Sequence, residues 1–130
     1  MLHIRGRVPQ YSKEIRRFVR FLNEEYPLKK EIILYVSSDS ELTEEKTFDL
    51  DEHDDSSPYY GCYYDSFEII SLATGMFYPE FSSTILIILA HEYYHVMQLA
   101  KKANFDERQP DCFAVDTVIK YVRTLRGNLK

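Results

Sequence analysis

The chain reads as one α+β domain: an N-terminal helix, a small mostly antiparallel sheet, and two packed C-terminal helices. Three patterns predict it. Apolar residues recur at helical spacing over residues 12–26. Short runs rich in β-branched and aromatic residues follow, bounded by turn residues. Two long helix-compatible segments then close the chain. Its 130 residues suffice for a single domain, 1–130, with a modest core.

In the first helix, Ile15, Phe18, Val19, Leu22 and Tyr26 share one face, and Arg16, Arg17 and Arg20 occupy the others. Ser12 is its N-cap candidate and Pro27 ends it. Ile32-Ile33-Leu34-Tyr35-Val36 is a short apolar strand, expected to be central to the sheet. Residues 59–64 and 67–73 read as two further strands turning at Asp65-Ser66. Ser82 or Ser83 caps the next helix, which is expected to run to about Ala103 and end at Asn104. The last helix spans roughly residues 107–126, with Phe113, Val115, Val118, Ile119, Val122 and Leu125 on its apolar face and Gly127 at its end.

Between the first and second strands, about residues 38–58, the apolar period disappears. This segment is acidic and reads as a long exposed loop. Long loops in small domains are often functional, which makes this one a candidate gate over a neighbouring site. Asp49, Asp51, Asp54 and Asp55 are dense enough to suggest Ca²⁺, but the glycine a calcium loop needs for its turn is missing. His53 is a further metal-capable side chain in the same loop.

The net charge of −5 argues against general nucleic-acid binding. Residues 1–30 carry eight Lys/Arg against three Glu, and residues 31–60 carry ten Asp/Glu against one Lys. The basic segment reads as a solvated helix face, because no aromatic-interleaved basic groove accompanies it. No stretch reaches the ~18 apolar residues of a membrane span. The first residues lack the apolar core of a signal peptide, so the expected compartment is cytoplasmic. Cys62 and Cys112 are not at metal-ligand spacing and are expected to be reduced thiols.

The chemistry lies in His91-Glu92-Tyr93-Tyr94-His95, directly after the apolar run 84–90. On a helix, positions i and i+4 lie one turn apart on one face, so both imidazoles can aim at one ion. Glu92 is offset by about 100° and can reach a water on that ion without being a ligand. This is the arrangement of a hydrolytic Zn²⁺ site with glutamate as general base. An unpaired ionisable cluster in so apolar a helix would be costly, which weighs against two merely structural histidines.

Such a site needs one more protein ligand and an open position for water. Glu107 and Asp111 are spaced i, i+4 and share a helical face. One could bind the metal while the other accepts the second ring N–H of a ligand histidine. If Asp106 is the N-cap, Gln109 completes a capping box and Pro110 falls near the fourth helical position. If the helix instead begins at Pro110, Glu107 precedes it and Asp111 or Asp116 competes for the metal.

These stretches, 91–98 and 107–114, resemble the gluzincin zinc metallopeptidases. The resemblance is strongest to small single-domain members: the minimal gluzincins, the ImmA/IrrE-type proteases, and neutral zinc metallopeptidases with an HE-x-x-H-x-x-Q motif. It covers about residues 59–120. It implies a zincin-like fold in which the helix carrying the motif packs against a C-terminal glutamate helix. It also implies His91, His95 and Glu107 as zinc ligands, Glu92 as base, and Asp111 as partner of a ligand histidine. In that group an extended substrate pairs with a sheet edge, and the tyrosine-rich strand 59–64 is the candidate edge.

The expected function is therefore peptide-bond hydrolysis on a protein or peptide substrate. The oxyanion would need a further donor, for which the 59–64 tyrosines, Tyr93 and Arg123 are candidates. A catalytically silent zinc-binding interaction domain is the alternative. A non-peptidase zinc hydrolase is the weaker third, since no small-molecule pocket motif is present.

Overall fold

The computed structural model describes residues 1–6, 12–38, 60–75, 83–100 and 108–127. Seven elements follow in order: β1 (Leu2–Gly6), α1 (Ser12–Glu25), β2 (Ile32–Ser37), β3 (Gly61–Tyr64), β4 (Ile69–Ala73), α2 (Ser83–Ala100) and α3 (Arg108–Gly127). Almost all of the acidic 38–58 loop, with His53 and its aspartates, lies outside the described residues. So do Tyr59, Ser82, Asn104, Asp106 and Glu107.

The four strands form one mixed sheet in the order β1-β2-β4-β3. β1 pairs parallel with β2, and β2 pairs parallel with β4. Only β3 runs antiparallel, against β4 on the edge. The expectation of a mostly antiparallel sheet is thereby corrected. It came from the one local hairpin, β3–β4, while the other pairings join strands that are distant in sequence. β1 is an element the sequence reading missed. Its five residues interleave Leu2 and Ile4 with His3 and Arg5, too short an alternation to stand out.

Register puts Leu2, Ile32, Leu34, Val36, Ile70 and Leu72 on one face of the sheet, where they join a single core with all three helices. α1 contributes Ile15, Phe18, Val19 and Leu22, as its period predicts, and α3 contributes Ala114, Val118 and Tyr121. The Tyr121 ring meets Phe18 edge-on at 5.0 Å. The other face carries a small cluster of Cys62, Tyr64 and Ala73. On that face Tyr35 is 51% exposed.

α2 is buried against both the sheet and α3, which is why it is apolar around most of its circumference. Tyr93 anchors it. The ring is fully buried, and its hydroxyl donates to the carbonyls of Leu22, at 3.4 Å, and Tyr26. The Leu22 carbonyl also accepts from the Tyr26 N–H at 2.8 Å, so the phenol is its second donor, and Tyr26 directly follows the last residue of α1. Burial pushes the Tyr93 phenol well above its ordinary value. Among the described residues no helix is long and apolar enough to cross a membrane.

Candidate metal centre

The site lies where α2 passes between the β3 edge and the first turn of α3. His91, Glu92 and His95 converge there, with their ligand atoms all within 4.8 Å of one another. The two Nε2 atoms are 3.1 Å apart. Two donors bound tetrahedrally to one ion at Zn–N lengths would be about 3.3 Å apart, so the pair is spaced for a shared cation.

Each imidazole is fixed from behind. His91 Nδ1 lies 2.8 Å from Asp111 Oδ1 in the first turn of α3. His95 Nδ1 lies 3.1 Å from Gln98 Oε1, one turn further along α2. A carboxylate oxygen and an amide oxygen can only accept, so each of these contacts suits an imidazole protonated at Nδ1. In that tautomer both Nε2 atoms turn lone pairs towards the same point, which suits a shared cation. The group can therefore hold a metal ion.

Glu92 faces the sheet rather than α3. Its Oε2 accepts a 3.0 Å hydrogen bond from the backbone N–H of Tyr63. Tyr60 O accepts from Ala73 N, so residues 60, 62 and 64 turn their backbone groups to β4. Gly61 and Tyr63 alternate with them and turn theirs to the side away from β4, where the Tyr63 N–H meets Glu92. The approach of β3 to α2 depends on Gly61. A Cβ there would stand 2.5 Å from Ile88 Cγ2 and 3.5 Å from Glu92 Cγ. Ile88 and Glu92 are i, i+4 and share the α2 face that meets this strand.

The described span of α3 runs from Arg108, and Pro110 is the third residue of that span. Asp106 and Glu107, on which the choice between the two helix starts rests, lie outside the described residues. Asp111 sits behind His91, while Asp116 lies on the exposed face of α3 with Ile119, Lys120 and Arg123.

Two oxyanion-donor candidates are removed. The Tyr93 hydroxyl is buried and committed to α1. Arg123 lies twelve residues beyond Asp111 on α3, about 18 Å along its axis. On β3, Tyr64 is buried with Cys62 on the face away from α2. Tyr63 faces the helical core, where burial first, then Asp65 and Glu68, raise its phenol pKa.

The sequence reading assigned no role to Gln98 or to the Tyr63 backbone. Gln98 had a visible signal, its i+3 position after His95. The Tyr63 contact had none, because it depends on strand placement. Comparison with protein-family models, curated proteins and solved structures finds no match to this chain.

Proposed function

We propose that the chain is a zinc metallopeptidase with a zincin-like domain of the gluzincin kind. The observation that carries this reading is the convergence of the two His Nε2 atoms at 3.1 Å, each with its Nδ1 held by an oxygen acceptor. Zinc suits paired imidazoles plus a carboxylate, and when bound it acidifies water and polarises a carbonyl.

In this reading His91 and His95 bind the ion, and Glu107 supplies the third ligand. Asp111 orients His91. Glu92 takes the proton of the attacking water and delivers it to the leaving amine. Its bond from the Tyr63 N–H aims it along the sheet edge. Among the described residues β3 is the edge strand beside the centre, so an extended peptide pairing with its remaining outward groups would lie across Glu92.

Metal content of the purified protein, combined with cleavage of a peptide library, tests the proposal. About one zinc per chain with cleavage that a chelator abolishes is expected. Zinc without cleavage would replace the enzyme with a silent zinc-binding domain, and absence of zinc at any loading would remove both.

A further inference from the structure

We propose that Gln98 is a positioning residue: its amide oxygen holds His95 as the Nδ1–H tautomer and so points the bare Nε2 into the metal centre. The geometry follows from the helix. Side chains lean towards the N-terminus of an α-helix, so a residue at i+3 covers the turn that carries residue i. Gln98 therefore reaches back over His95, and Oε1 stands 3.1 Å from Nδ1.

The two histidines are treated differently, and burial explains why. His91 is 21% exposed at the side chain, and its partner Asp111 is 72% exposed, so a charged acceptor there keeps most of its hydration. His95 is 8% exposed and Gln98 only 3%. A carboxylate at that depth would be desolvated at high cost, whereas a neutral amide accepts the same hydrogen bond without burying a charge. Gln98 thus supplies the tautomer control that Asp111 supplies to His91, in a form the interior tolerates.

The consequence for zinc rests on the function proposed above. The tautomer itself is a property of the metal-free chain, so the two can fail separately. The test uses the full-length, ¹⁵N-labelled, metal-free protein and long-range ¹H–¹⁵N correlation of the histidine rings. The wild type is expected to show His95 as the Nδ1–H tautomer. Gln98→Leu is expected to shift it to Nε2–H and to weaken Zn²⁺ roughly 10–100-fold in competition with a chromophoric chelator. Gln98→Glu keeps an acceptor of the same reach, so it should retain the Nδ1–H tautomer, at a loss of thermal stability from the buried carboxylate, and an Nε2–H tautomer in that folded variant would overturn the proposal.

An Nε2–H tautomer at His95 in the wild type would overturn the proposal without any variant having to fold. So would Gln98→Leu with unchanged tautomer, or with unchanged zinc affinity where the wild type binds zinc. An Nδ1–H wild type that binds no zinc would uphold the role of Gln98 and sink the peptidase reading instead.

Discussion

Gly61→Ala is expected to disturb both the sheet and the candidate base from one added methyl group. The new Cβ would meet Ile88 Cγ2 at 2.5 Å, a separation at which something must move. Ile88 is β-branched on a helix, where a single χ1 rotamer dominates, so Cγ2 cannot swing aside. Its neighbours Leu89 and Leu86 are buried, so α2 cannot easily retreat. The less resisted response is for β3 to back away from α2. That movement lengthens the Tyr63 N–H to Glu92 bond, two residues along the same strand. Overpacking of this kind costs about 1–3 kcal/mol. For a domain of this size, each kcal/mol lowers Tm by roughly 4 °C. Thermal unfolding of Gly61→Ala should therefore show a loss of roughly 4–12 °C, and the Tyr63 amide should exchange faster than in the wild type. Ile88→Ala removes the opposing methyl, so the double variant should recover at least about 1 kcal/mol relative to the sum of the singles. Additive single effects, or an unchanged Tyr63 exchange rate in Gly61→Ala, would refute the close-approach argument.

Three further outcomes are expected. His91→Ala and His95→Ala should each strip the metal and lose the stability that metal binding lends to the fold, read by zinc content and melting with and without zinc. Asp111→Ala should retain the metal but bind it roughly 10–100-fold more weakly, and outright loss of zinc in that variant would mean Asp111 is a ligand. Tyr93→Phe should cost about 0.5–1.5 kcal/mol, because the bonds from the buried hydroxyl to the Leu22 and Tyr26 carbonyls are lost while Leu22 keeps the Tyr26 N–H. The raised Tyr93 phenol also fixes a sign: above its ordinary value of 10 the unfolded chain ionises and the folded chain does not, so stability falls as pH rises. That alkaline slope should be shallower in Tyr93→Phe, as measured by denaturant unfolding between pH 8 and pH 11.

The helices were legible because their signals are local. Ile15, Phe18 and Leu22 announce α1 by spacing alone, and His91 and His95 meet because four residues make nearly one turn. The β3–β4 hairpin was legible for the same reason, with its turn at residues 65–68, where Glu68 takes a positive φ of 55°. The parallel pairings of β2 were not, since they depend on strands brought together by the whole fold. Nor was the capture of Glu92 by a backbone N–H, because any residue at position 63 except proline would supply that donor. Tyr93 was misread for a related reason. A tyrosine between two candidate ligand histidines invites a catalytic role, yet its place on the helix turns it away from the His91–His95 face towards α1.

Glu92→Gln tests the account most directly, because it separates the base from the ligands. Zinc stoichiometry and peptide turnover would be measured on the same sample beside the wild type. The account predicts zinc near one per chain in both proteins and turnover reduced about 10²–10⁴-fold in the variant, the range for loss of a general base. Turnover within about tenfold of wild type in a folded, zinc-loaded variant would contradict the mechanism. Loss of zinc from that variant would make Glu92 a ligand and overturn the assignment of the site.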